Sequence, residues 1–139
     1  MTVGSEVEEL LSGAMCMLNL ATSVNDHPHV SPVWYAYHDD TISVLTSGKK
    51  LANIQQNPRV AGSIEKNTDG NAEWKVTLLG TATVSDEPTR INEAAREIFS
   101  KYLGTDEEQW SDHYRQALTD NPSNTLIEIH IGSADVSRY

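Results

Sequence analysis

The chain has 139 residues, 10 Lys+Arg against 20 Asp+Glu, a formal net charge of −10 and one cysteine. That length accommodates one domain with a core of its own, here residues 1–139, and the acidic balance argues against nucleic acid and against an anionic membrane surface, which both favour a net-positive face. Cys16 alone excludes an intrachain disulfide framework, no apolar run approaches the roughly 18 to 20 residues of a membrane span, and Met1 to Glu9 carries acids where a secretory signal carries bases. The expectation is a soluble cytoplasmic protein whose acidic coat serves solubility.

Glu6 to Leu11 reads as a short helix ended by Gly13. Met15 to Val24 reads as a strand buried on both sides, with Cys16, Leu18 and Leu20 on one face and Met15, Met17 and Ala21 on the other. After the Asn25-Asp26-His27-Pro28 turn, His29 to Tyr37 is a second strand, in which Pro32 marks an edge or a bulge. His38-Asp39-Asp40 turns the chain into a third strand, Thr41 to Thr46. Ser47 to Gln56 is a helix closed by Asn57-Pro58. Arg59 to Lys66 and Ala72 to Ser85 are strands around the Asn67 to Asn71 loop, the second bent at Gly80. Pro88 opens a helix with Ile91, Ala94, Ala95, Ile98, Phe99 and Tyr102 on one face, and Gly104 stops it. Thr105 with Glu108 forms a capping box for another helix bearing Trp110, Tyr114, Ala117 and Leu118, and Thr125 to Ile131 alternates as the last strand. The sum is mainly β, α+β by content: a six-stranded antiparallel barrel with flanking helices.

One helix begins with the wrong charge. Ser47 is a good N-cap, yet Gly48, Lys49 and Lys50 follow it. The first turn of a helix is already positive through its free N–H groups and macrodipole, so two lysines there cost a few tenths of a kcal/mol each. A bound phosphate reverses that sign, taking backbone N–H groups, the hydroxyls of Thr46 and Ser47 and one or both ammonium groups. The alternative is a pair of solvated lysines behind an ordinary cap. Neither a Walker loop nor a Gly-x-Gly-x-x-Gly turn is present.

At these residues the sequence resembles the pyridoxamine-phosphate-oxidase-like, FMN-binding split-barrel family. Three blocks carry the resemblance in order: His29-Val30-Ser31-Pro32-Val33-Trp34-Tyr35, then Thr46 through Val60 with its Asn57-Pro58-Arg59-Val60 ending, and Trp74 through Val84 with Gly80-Thr81-Ala82. The resemblance implies a homodimeric split barrel with FMN at the interface and a small-molecule substrate. It implies that Lys49 and Lys50 grip the cofactor phosphate with Thr46 and Ser47, that the strand from His29 through Val33 to Trp34 runs beside the flavin, and that Lys75 reaches the flavin, in many members from the other subunit. His29 stands where the true oxidases carry an arginine, Trp34 where they carry a lysine, and their arginine-containing C-terminal segment is missing, so the likeness is to the minimal members rather than to the oxidase itself.

Flavin chemistry resides in the cofactor, so the lack of a recognisable acid/base triad is no objection, and the catalytic residues stay unassigned. Trp34, Tyr35, Tyr37 and Trp74 are candidates to line the exposed face of the ring, with plain core as the alternative. A deazaflavin coenzyme held by the same lysines is a second reading of the same enzyme type. A third is a non-catalytic flavin- or haem-binding module, with His29 or His113 available to a haem iron. No metal site is expected, since His27, His29 and His38 fall in or beside exposed turns. Cys16 reads as a small packed hydrophobe.

Overall fold

Seven strands form one antiparallel sheet in the computed structural model, which describes residues 3–139. Helix α1 (Ser5–Gly13) precedes β1 (Leu18–Val24), β2 (His27–Val33), β3 (Ala36–His38) and β4 (Thr41–Thr46). Helix α2 (Lys49–Gln56) leads to β5 (Arg59–Thr68) and β6 (Asn71–Ser85), followed by α3 (Pro88–Leu103), α4 (Asp112–Arg115) and β7 (Thr125–Arg138). The strands lie in the order β2-β1-β5-β6-β7-β4-β3. Its two edge strands, β2 and β3, are therefore consecutive in the chain, with only Trp34 and Tyr35 between them. Three Cα steps from Val33 to Ala36 span at most about 11 Å. The sheet has to roll until its edges meet, and because β2 and β3 do not pair, the result is a barrel split along that seam.

The expected six strands thus become seven. The predicted strand His29 to Tyr37 breaks where Tyr35 turns inward, fully buried, its hydroxyl donating to the Leu11 carbonyl at 2.8 Å. Three two-residue turns close the hairpins: Asn25-Asp26, Asp39-Asp40 and Asp69-Gly70, all six residues at positive φ. This is the type I′ geometry that follows strand twist, and Asn, Asp and Gly tolerate it best. Between Leu79 and Gly80 the β6–β7 register slips, leaving Gly132 as an extra residue in β7. A Cβ on Gly80 would stand 2.7 Å from the His130 carbonyl oxygen, so only glycine fits at this bend.

The barrel interior is filled by Leu18, Leu20, Ile42, Val44, Ile64, Val76, Ile127 and Ile129, all at 0 % exposure, with Val7 and Leu11 of α1 and Ile54 of α2 packed on it. The N-terminal strand is corrected here. It starts at Leu18 rather than Met15 and buries only the Leu18, Leu20 and Thr22 face, leaving Met15 66 % and Met17 40 % exposed. Along α3, Ile91, Ala94, Ala95, Ile98 and Phe99 face inward as their spacing predicts, and Gly104 ends the helix at φ 94°.

The expected helix after Thr105 is also corrected. Asp106, not Thr105, caps, accepting the Glu108 N–H at 3.1 Å, and the segment forms a 3₁₀ turn (Glu107–Gln109), α4, and a second 3₁₀ turn (Gln116–Leu118). Trp110 interrupts it: the buried indole donates to the Gly104 carbonyl at 2.9 Å and holds the backbone extended between turns. Among the described residues no helix is long and apolar enough to cross a membrane.

Candidate functional site

Helix α2 starts one residue later than its sequence implies. Gly48, not Ser47, is the N-cap, at φ 75°, ψ −142°, and no side chain accepts from the first-turn N–H groups. Glycine is required there by conformation, since a Cβ at this position meets nothing within 4 Å. Lys49 and Lys50 fill the first turn, which holds no acid. The other end of the helix is tied to the barrel. Asn53, 4 % exposed, donates to the buried Thr22 hydroxyl at 3.0 Å, and Asn57 donates to the Ser23 carbonyl at 2.9 Å. Asn57 also accepts the Arg59 N–H at 3.2 Å, so the Asn-Pro-Arg-Val sequence turns the chain and fixes the direction of α2 at once.

That direction brings the start of α2 to a cavity of about 520 Å³. Thr46, Ser47 and Lys50 stand at one side of it, and Pro32, Val33 and Trp34, at the end of β2, form an adjoining wall. Ile98 and Phe99 of α3, His113 and Tyr114 of α4, and Ala117 also line it. Ser123 and Asn124, which lead into β7, complete it because Thr125 pairs with Thr46 across the β4–β7 ladder. Asn92 ties the turn that carries Ala117 to α3 by donating to the Ala117 and Thr119 carbonyls at 2.8 and 3.0 Å.

Seven of the residues singled out from the sequence therefore share one cavity: Pro32, Val33, Trp34, Thr46, Ser47, Lys50 and His113. Lys49 is exposed beside it in the same turn. Thr46 is buried, its hydroxyl donating to the Ser47 carbonyl at 3.2 Å. His29 and Ser31 oppose Thr22 and Leu20 in the β1–β2 ladder and so face inward, His29 with an Nδ1 that is buried and unpaired; Val30 faces outward, 66 % exposed. Lys75 lies away from the cavity, exposed on β6 opposite Glu65 and Ser137.

Of the four aromatic candidates only Trp34 lines the cavity. Tyr35 and Trp74 are core, and Tyr37 hydrogen-bonds Glu8 and Asp40 on β3. Trp34 stacks on Tyr102 at 4.8 Å and on Tyr114 at 5.5 Å, with Phe99 edge-on at 6.1 Å. Tyr114, Phe99 and Asn124 are not among the site residues the sequence suggests, whereas His113, offered there only to a haem iron, does line the cavity. The spacing of Phe99 and Tyr114 reads as the apolar faces of two helices; α3 carries Phe99 to Trp34, and the turns that replace the second helix fold Tyr114 back onto it.

Behind Trp34 the Lys101 ammonium lies 3.6 Å from the centre of the Tyr35 ring and donates to the Tyr35 carbonyl at 3.3 Å. Burial pushes its pKa down to about 8. Burial also raises Tyr102, to about 12, and the Cys16 thiol, while the Tyr102 hydroxyl donates to the Cys16 carbonyl at 2.7 Å. A thiol held protonated in this way is a packing group.

A family model described as pyridoxamine 5′-phosphate oxidase matches residues 4–138. No curated protein matches the sequence significantly. Among solved structures, a conserved hypothetical protein from Mycobacterium tuberculosis superposes with TM-score 0.76 at 22 % identity, over 99 % of this chain and 86 % of that one. An F420 reductase gives 0.72 at 21 %, over 96 % and 98 %, and an FAD-binding protein from Mesorhizobium loti gives 0.70 at 20 %, over 98 % and 95 %. At these identities the three structures show a shared fold. The family match runs over nearly the whole sequence, and the chain belongs to the pyridoxamine 5′-phosphate oxidase-like split-barrel family.

Proposed function

We propose that this chain is a homodimeric FMN-binding protein that acts as a small flavin-dependent oxidoreductase. The observation that carries the reading is the uncapped start of α2, with Gly48, Lys49 and Lys50 in its first turn, opening on the cavity walled by the end of β2. A phosphate there takes the free N–H groups, the Ser47 hydroxyl and the Lys50 ammonium, with Lys49 adding charge from the solvent side, and Thr46 joins by turning its hydroxyl away from the Ser47 carbonyl. An edge strand leaves alternate N–H and C=O groups unpaired, so β2 offers the polar edge of a flavin a ladder of contacts from His29 to Val33, interrupted at Pro32. When bound, the flavin supplies the electron transfer; the protein binds, orients and shields it.

The similarity to an FAD-binding protein and to an F420 reductase supports flavin-type chemistry in general. Exposed Met15, Val30 and Leu79 support a second copy on the outer face of the sheet, where Lys75 would reach the opposite subunit's cavity. The F420 reductase similarity also favours a second reading, a deazaflavin coenzyme with a longer phosphorylated tail. FMN is preferred because, among the described residues of one subunit, Lys50 is the one Lys or Arg lining the cavity and matches a single phosphate.

Titration with FMN and with riboflavin, which lacks the phosphate, tests this. Replacing both lysines (Lys49→Gln with Lys50→Gln) is expected to weaken FMN at least about tenfold, roughly 1.4 kcal/mol, and riboflavin less than about twofold. Equal losses for both would remove the lysines from the phosphate site. Reduction by NAD(P)H rather than by a reduced deazaflavin separates the two cofactor readings.

A further inference from the structure

We infer that Lys101 is an acylation site: its side-chain amine takes a small acyl group, such as acetyl, from an activated donor of the acyl phosphate class. The site lies behind Trp34, outside the cavity lining, and does not depend on which cofactor the cavity holds. The chain has 20 acids, yet among the described residues Lys101 has no carboxylate partner. By contrast Lys66 is paired with Glu73, Arg90 with Glu128, Arg96 with Glu107 and Arg138 with Glu6. The Lys101 ammonium has three N–H bonds to place. One goes to the Tyr35 carbonyl at 3.3 Å, and the head lies 3.6 Å from the centre of the Tyr35 ring and 5.1 Å from that of Tyr102.

No titratable neighbour supplies a negative charge at neutral pH. The Tyr35 and Tyr102 hydroxyls are committed as donors to the Leu11 and Cys16 carbonyls, and burial raises both phenols and the Cys16 thiol. The ring faces and the C-terminal end of α3, about half a charge, are what favours the cation. They do not outweigh desolvation, which holds the amine at about 8. Lys101 is only half-buried, so a small donor reaches it. Once a proton has gone to solvent, the nitrogen lone pair forms the N–C bond to the acyl carbon. The C–O bond to phosphate breaks, and a second amine proton leaves with the phosphate. The amide keeps one N–H for the Tyr35 carbonyl and deletes the unpaired charge, so the fold accommodates the product.

At pH 7.5 a lysine titrating near 8 is about a quarter free amine, against about 0.1 % at the ordinary 10.5. Lower basicity and half-burial take back part of that advantage. The test incubates the full chain with acetyl phosphate at pH 7.5 and follows acetylation site by site by peptide mass spectrometry. Lys101 is expected to react at least about tenfold faster than Lys66 and Lys75, which are both exposed. In urea the advantage should vanish, because the rings no longer surround the amine. Folded Lys101 reacting no faster than the two exposed lysines overturns the site. So does an advantage that survives unfolding, since it would belong to the local sequence and not to the fold. Neither result touches the FMN reading, which Lys49 and Lys50 decide.

Discussion

Lys101 sits at the C-terminal turn of α3 with its amine against the Tyr35 ring and its pKa pushed down to about 8 by burial. An unfolded lysine titrates near its ordinary value of 10.5, so between about pH 8 and 10.5 the unfolded chain holds a proton that the folded chain has lost. The folded state therefore bears the full cost of the buried charge below pH 8 and is relieved of it as pH rises through that window. The tyrosines act in the opposite sense above pH 10, because Tyr102 is raised to about 12 and Tyr35 is raised further, and both stay neutral in the fold. Comparison with Lys101→Met cancels the tyrosine contribution. Thermal melts at pH 7 and pH 9.5 should show the wild type gaining on the variant as pH rises; a gap that is constant with pH would mean that the amine keeps its charge in the fold. Nothing in the sequence marked Lys101 out, because the cost of a charge depends on the ring above it and Tyr35 lies 66 residues away.

At the scale of elements, the setting of α2 depends on two amides. Asn53→Ala deletes the donor to Thr22 and leaves that hydroxyl buried without its partner, a loss of about 1–3 kcal/mol by urea denaturation. FMN affinity should fall with it, since the first turn of α2 is aimed from this anchor, and unchanged affinity would mean that the Asn57 amide and the Ile54 contact set the helix without it. Periodicity made α3 legible to the residue, and the paired Asn/Asp turns made the hairpins legible, because both signals are local. What was not legible is where a long-range contact overrides a local one: Tyr35 breaking a β-rich run, Gly48 taking the cap from Ser47, Trp110 dividing a helix. The same division holds for the site. The basic turn and the β2 block could be read, whereas the wall from α3, α4 and Asn124 exists only through tertiary packing.

For the whole molecule, a net charge of −10 surrounds a cavity proposed to receive a phosphate. The far field repels an anionic cofactor while the near field of Lys49 and Lys50 attracts it. The Debye length falls from roughly 30 Å at 0.01 M salt to about 8 Å at 0.15 M, which removes the distant repulsion and leaves the contacts. The association rate of FMN, followed by quenching in stopped flow, should therefore rise about two- to fivefold over that range, against the fall usual for oppositely charged partners. A rate that falls would show that the lysines dominate the approach as well as the grip.

Strand β7 lies between β6 and β4, so the ladder that joins β2-β1-β5-β6 to the β4-β3 hairpin is contributed by the last strand in the chain. During synthesis from the N-terminus, the hairpin and the four-stranded piece emerge as separate fragments whose edges wait for it. Thr46 gains its neighbour Thr125, and the cavity its Asn124 corner, only when β7 is laid down. A chain in which β7 has not yet paired displays Lys49 and Lys50 with the Asn124 corner still missing, so the proposed cofactor site is complete only once this strand is in place.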